Sequence, residues 1–227
     1  MKILSAATLL ALTFFLIYPA ADLDFSRLFY VEGTGFIYRE HIISQIIYYS
    51  VRILTITLCG LGLFIVFYDA SRKFFPAFLK KILDRIRATL KLTSKQAGFL
   101  LWVIIITPGI IVHWVMKPIW ERARPVNITE FGGQFQFSSF YHLFAGQDGN
   151  SFPSGHASMA TSLVALAFIV PIEKRRTVLI YTSLYAIIAS TCRIWQGGHF
   201  LSDVVFSAIL TLWTILLVKR FYLDRTF

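Results

Sequence analysis

The sequence predicts an all-α, polytopic membrane protein, a bundle of six transmembrane helices. Composition is the first reason: 56% of the 227 residues are hydrophobic and only 15% are charged, against roughly 45–50% and about 25% in ordinary globular domains. So few charges cannot cover a water-facing surface, and lipid must face the remainder. The second reason is a set of long apolar runs, and the third is where the basic residues fall between them.

A helix needs about 20 apolar residues to cross the hydrocarbon core, or fewer with help from its flanks. Residues 3–21 carry no charge. A cleaved signal peptide is the alternative, but the run is longer than a usual signal core. The next helix re-enters from outside in either case. The second span is 49–68, with apolar residues on both sides of Arg52, and the third is 97–116, where Pro108-Gly109 predicts a kink or local break. Spans 156–171, 177–193 and 200–218 complete the six. These last three are short, so their helices should extend into the polar motifs beside them.

Orientation follows the Lys/Arg bias of the loops. With the N-terminus cytoplasmic, only seven of the 22 Lys and Arg lie outside: Arg27, Arg39, Arg52, Lys117, Arg122, Arg124 and Arg193. Residues 74–92 read as an amphipathic segment on the cytoplasmic side. Phe78, Ile82, Ile86 and Leu90 recur every fourth residue, with Lys80, Lys81, Arg85, Arg87 and Lys91 around them. Such a helix can lie on an anionic leaflet; a plain basic topology anchor is the simpler reading. No repeat, low-complexity tract or linker interrupts the chain, so 1–227 is one domain.

The net charge of +10 would suit nucleic acid, but the basic residues sit between spans, and no zinc-finger or RNA-binding pattern is present. Nucleic acid is therefore excluded as a partner. Cys59 and Cys192 provide neither a disulfide framework nor a metal quartet.

Three clusters fall at the outer ends of spans. The first is Lys117-Pro-Ile-Trp-Glu-Arg-Ala-Arg124-Pro125. Lys117 and Arg124 are seven apart and share a helix face, so they can form an anion site as well as anchor the span at the headgroups. The second is Pro153-Ser154-Gly155-His156, which leads into a span. Free N–H groups at a helix start suit phosphate oxygens, Gly155 permits close approach, and His156 can exchange a proton near neutral pH. Ordinary helix capping would also explain Pro-Ser-Gly. The third is Arg193-Ile-Trp-Gln-Gly-Gly-His199-Phe-Leu-Ser-Asp203. His199 and Asp203 are helical neighbours, so the carboxylate can hold one ring nitrogen as N–H and leave the other free to attack. An acid at the start of an apolar span is itself a functional candidate. His113, inside the third span, reads as a packed core residue, and His41 and His142 as solvated.

Together these clusters match a tripartite signature over 117–203. The chain resembles the membrane branch of the type 2 phosphatidic acid phosphatase superfamily, which also includes the vanadium haloperoxidases. The resemblance implies that His199 attacks phosphorus and becomes phosphohistidine, that Asp203 orients it, and that His156 protonates the leaving oxygen and then activates water. It implies phosphate binding by Lys117, Arg124, Arg193, Ser154 and Gly155, with no metal and no cofactor. Activity should then survive chelator and be inhibited by vanadate. One departure is Cys192, where many members carry Ser before the third-motif Arg, which puts a hydroxyl contact to phosphate in doubt.

The implied substrate is a phospholipid or glycolipid phosphate at the periplasmic face of a bacterial inner membrane, with both termini cytoplasmic. The Phe15–Tyr30 stretch, the Pro-Gly of the third span and the third motif look like the lipid A 4′-phosphatase branch. Undecaprenyl pyrophosphate and phosphatidylglycerophosphate are the alternatives, as is transfer of phosphate to a second lipid. A lipid transporter or scaffold is the non-enzymatic alternative. Oligomeric state is left open.

Overall fold

The computed structural model describes residues 1–147 and 149–225. Asp148, Thr226 and Phe227 of the expected 1–227 domain lie outside the described residues. The chain begins with α1 (Lys2–Ile17) and α2 (Ala21–Arg27). A two-stranded hairpin follows, β1 (Tyr30–Val31) antiparallel to β2 (Gly35–Phe36). Then come α3 (Ile42–Ser71), α4 (Ala77–Thr89), α5 (Ser94–Ile104) and α6 (Lys117–Trp120), and after a long outer loop α7 (Gly155–Ser162), α8 (Ile172–Trp195) and α9 (Leu201–Val218). α3 packs on α5, α7 on α8 and α9, and α1 on α9.

Among the described residues, four helices are long and apolar enough to span a bilayer: the one beginning at Ile42, the one beginning at Ser94, α8, and α9 with its extension to Leu223. The bent pair α1 and α2 makes a fifth if it counts as one span. The expected count of six is therefore not reached by length alone. The sixth, Gly155–Phe168, stops short because its second half, Leu163–Phe168, tightens into 3₁₀ turns before Pro171. Its length is about 24 Å, against about 30 Å of hydrocarbon. Exposed side chains such as Leu9, Ile53, Phe67, Trp114 and Ile187 cover the outside of the bundle. Polar water would not tolerate so continuous an apolar coat, and lipid does. The chain is a multi-pass membrane protein.

Two expectations need correction. The first run is not one helix to residue 21: it breaks after Ile17 and α2 leaves at 85°. Tyr18-Pro19 interrupts it, since proline removes a donor and restricts the residue before it. Pro108-Gly109 does not break the third span. The helix instead widens into π-type turns over Ile105–Met116, and the Pro108 carbonyl is engaged by His113 Nδ1 at 2.6 Å. Such wide turns are a usual site for functional side chains.

The amphipathic segment is helical, but it is clasped to α3. Arg72 pairs with both carboxylate oxygens of Asp84 (2.7 and 2.8 Å), and Arg87 with both of Asp69 (2.9 and 2.8 Å). Tyr68 adds a hydrogen bond to Asp84 at 2.7 Å. The Arg72 and Tyr68 hydrogen bonds hold the Asp84 carboxyl down to about 2.

Candidate active site

The outer end of the bundle gathers the C-terminal end of the third span, the start of α7, the turn between α8 and α9, and the outer part of α3 around one cavity of about 420 Å³. Lys117, Arg124, Gly155, His156, Arg193 and His199 all line it. Residues far apart in sequence thus converge: His156 and His199 face one space with Lys117, Arg124 and Arg193, and His113 and Arg52 join them there. No carboxylate lines it among the described residues, so its field favours an anion.

His199 lies in the turn before α9 and is 2% exposed. Its Nδ1 donates to the Ser151 carbonyl at 2.8 Å. A carbonyl can only accept, so Nδ1 carries the proton and Nε2 is left as a free base. Asp203 Oδ2 is 3.5 Å from Nδ1, beyond a good hydrogen bond. The expected direct Asp203–His199 hydrogen bond is therefore replaced by Ser151, which the sequence reading did not single out. The Asp203 oxygens go instead to Arg122 Nη1 (2.7 Å), the Ser151 hydroxyl (2.5 Å) and the Phe200 N–H (2.8 Å). Burial pushes the His199 imidazole down to about 4, against the opposing pull of Asp203. It is neutral at working pH.

His156 occupies the first turn of α7. Its ring stacks on Tyr48 of α3 with 4.2 Å between centroids, and its Nε2 has no partner among the described residues. The Arg193 guanidinium also lies over the Tyr48 ring, 4.9 Å from its centroid, and hydrogen-bonds Gln196. Tyr48 therefore positions an imidazole and a cation at once, through stacking and cation–π attraction. Arg124 is held by the Gly149 carbonyl at 3.0 Å.

The glycines of the third motif have separate tasks. Gly197 takes φ +65°, and a Cβ there would lie 2.4 Å from the Phe36 ring. At Gly198 a Cβ would lie 2.3 Å from Arg193 Nη2, so glycine leaves room for the guanidinium.

Ser154 departs from expectation. It is fully buried, and its hydroxyl caps α7 by accepting from the Ala157 N–H at 3.3 Å. The capping role, weighed above as the ordinary reading, is what the geometry supports, because a helix start leaves N–H groups that need an acceptor. Cys192 also faces away from the cavity, its Sγ 3.5 Å from the Ser44 carbonyl of α3. The missing serine hydroxyl is thus no loss to the cavity wall.

His113 is not a core residue. It is exposed to the cavity, and its ring lies against Gly155. The wide turns that carry it could not be read from local pattern, although Pro108 five residues earlier was a signal. Tyr48 and Arg52 also line the cavity and were missed as site residues. A charge within an apolar run, such as Arg52, was the available clue. His41 and His142 are exposed, as expected.

The PAP2 superfamily model matches residues 97–227. The chain is similar to the lipid A 4′-phosphatase of Francisella tularensis subsp. novicida (strain U112), with 30% identity over 86% of this chain and 83% of that one. It is also similar to the lipid A 4′-phosphatase of Rhizobium leguminosarum, with 34% identity over 49% and 48% of the two chains. Its fold resembles the crystal structure of the transmembrane PAP2-type phosphatidylglycerolphosphate phosphatase from Bacillus subtilis. There the TM-score is 0.54 and the identity 20%, over 100% of this chain and 98% of that one.

Proposed function

The chain belongs to the PAP2 superfamily, and from that premise we propose that it is a lipid A 4′-phosphatase acting through a phosphohistidine on His199. The observation that carries this reading is the convergence of His199, His156, Lys117, Arg124 and Arg193 on one cavity. The 30% identity to a lipid A 4′-phosphatase over most of both chains supports the substrate.

Nε2 of His199 attacks phosphorus in line while the P–O bond to the lipid breaks. Nδ1 keeps its proton throughout, held by the Ser151 carbonyl. His156 Nε2 donates a proton to the leaving oxygen. In the second half it takes a proton from water, whose oxygen attacks phosphorus and breaks the P–N bond. Phosphoryl transfer depends on position and on charge at the equatorial oxygens; Lys117, Arg124 and Arg193 supply that charge. Each such donor is worth about 2.7–4 kcal/mol in comparable enzymes.

The cavity opens beside Thr55, Ile56 and Met159 of the membrane-embedded helices, which suits a phosphate carried on an acyl-anchored headgroup. The sites lie on the periplasmic side of an inner membrane, by the loop-charge rule. Ser154 contributes to phosphate binding only by setting the start of α7, where Gly155 meets the cavity.

Phosphate release is to be measured in detergent on lipid A, undecaprenyl pyrophosphate, phosphatidylglycerophosphate and phosphatidic acid, with EDTA and vanadate as further arms. Turnover of lipid A above the others, kept in EDTA, blocked by vanadate and abolished in His199→Ala, is expected. Preference for another lipid would replace the substrate assignment. Phosphorylated acceptor lipid without free phosphate would make the protein a phosphotransferase. Full activity in His199→Ala would end the mechanism.

A further inference from the structure

Behind His199 lies a buried charge chain that reaches outside the family-matched region. Arg122 is 0% exposed. Its Nη1 donates to Asp203 Oδ1 at 2.7 Å, its Nη2 to Asp22 Oδ2 at 2.7 Å, and its Nε to the Ser138 carbonyl at 2.7 Å. The guanidinium stacks on Phe200, 4.2 Å from the ring centroid. Asp22 is 1% exposed and sits in α2, 100 residues away in sequence. Its carboxylate also accepts from the Ser202 N–H (2.8 Å) and hydroxyl (2.6 Å).

Buried charges persist only when paired and hydrogen-bonded, and this set is satisfied at every nitrogen. It leads to the nucleophile through one residue. The Ser151 N–H donates to the Arg122 carbonyl at 2.8 Å, its hydroxyl to Asp203, and its carbonyl accepts from His199. Ser151 is thus held at three points, two of them set by Arg122 and Asp203.

The charges have a sign logic. Asp203 alone would stabilise the cationic ring that forms when Nε2 bonds to phosphorus. Arg122 draws on that charge, and Asp22 draws Arg122 back. Two carboxylates and one guanidinium leave a net charge of −1 behind the imidazole.

We propose that Asp22 and Arg122 are positioning residues: the buried Asp22–Arg122–Asp203 chain fixes His199 through Ser151 and keeps negative charge available to the phosphorylated ring. The inference rests on His199 being the nucleophile. It gives α2, which bends away from α1 and packs on α9 behind the site, a part in the reaction.

The test compares Asp22→Asn with wild type and with His199→Ala in detergent. Asn keeps the shape but leaves the chain net neutral. His199 shares its cavity with Arg193 from α8, Arg124 from the outer loop, His156 from α7, Arg52 from α3, and Lys117 and His113 from the third span, with Asp203 of α9 and its partner Arg122 behind the ring, so a lost negative charge is felt at once. Asp22→Asn should lower kcat by roughly ten- to a hundredfold, the range for outer partners of functional side chains. KM should hold, because Asp22 touches no substrate. The acid limb of kcat/KM should move to lower pH.

Arg122→Met alone leaves two unpaired buried carboxylates and is expected to fold poorly. The double variant Asp22→Asn/Arg122→Met restores the charge of −1. It should return the acid limb to its wild-type position while kcat stays low. A folded Asp22→Asn with wild-type kcat and pH profile, or one whose defect is in KM alone, overturns the inference. His199→Ala separates the two claims. If it is inactive and Asp22→Asn is normal, only the positioning role fails; if it is active, both fail.

Discussion

Gly198→Ala isolates the contribution of one cation without touching it. An added Cβ would lie 2.3 Å from Arg193 Nη2, 2.7 Å from Cζ and 3.3 Å from Nη1. Ordinary carbon contacts are about 3.5–4.0 Å, so the guanidinium must retreat by about 1 Å. The obstructed atoms are the end of a side chain, not backbone, so the fold can survive. Gly198 has no left-handed φ, and replacing such a glycine by alanine tends to stabilise by about 0.4–1 kcal/mol through the unfolded chain. Displacement by about 1 Å in a catalytic site can lower rate about a hundredfold. Outright loss of one electrostatic donor lowers it about 10²–10³-fold. Phosphate release should therefore fall by about two orders of magnitude, with thermal unfolding near wild type. Arg193→Ala should fall at least as far, and the double variant no further than Arg193→Ala. Wild-type turnover in Gly198→Ala beside an inactive Arg193→Ala, or additive losses in the double variant, would refute the reasoning.

Acidification removes the free base on His199. Burial holds that ring down to about 4, so activity is lost as pH falls through about 4, not through the usual imidazole range. The acid limb of kcat/KM reads it, as that ratio reports the free enzyme. Ser154→Ala should lower stability by about 1 kcal/mol, the usual value of an N-cap, and leave kcat within a few-fold, because its hydroxyl serves the Ala157 N–H. Denaturation and phosphate release measured on the same preparation check it. Asp84→Asn should loosen α4 and speed tryptic cleavage at Arg85, with turnover unchanged. The native Asp84 carboxyl, held at about 2 by Arg72 and Tyr68, keeps its full stabilising effect above about pH 4 and loses it only as pH falls toward 2.

The sequence exposes the parts of the site whose spacing is local. The intervals from Lys117 to Arg124 and from His199 to Asp203 are short enough to read, but neither is helical: α6 ends at Trp120 with Glu121 left-handed, so Arg124 stands in the loop, and His199 precedes α9; Ser154 is a cap with its helix beside it. It also exposes the bundle, since apolar runs and basic loops follow from solvent alone. The pair Asp22–Arg122 has no such signature, because its members are 100 residues apart and only packing of α2 on α9 joins them. Arg122 looked like one more outer cation, although a fully buried arginine demands partners. Ser151 acts through its carbonyl, which no side-chain pattern reports. His113 depended on wide turns around Pro108, and Tyr48 on which face of a long helix meets α7. The length of Gly155–Phe168 was hidden because 3₁₀ turns do not announce themselves in an apolar run.

The central claim is tested most directly by quenching the enzyme in mid-turnover on lipid A labelled with ³²P at the 4′-phosphate, then mapping the label. Acid-labile, base-stable phosphate on His199 is expected, and none in His199→Ala. Labelled protein that persists in His199→Ala, or label on any other residue during normal turnover, would contradict the account.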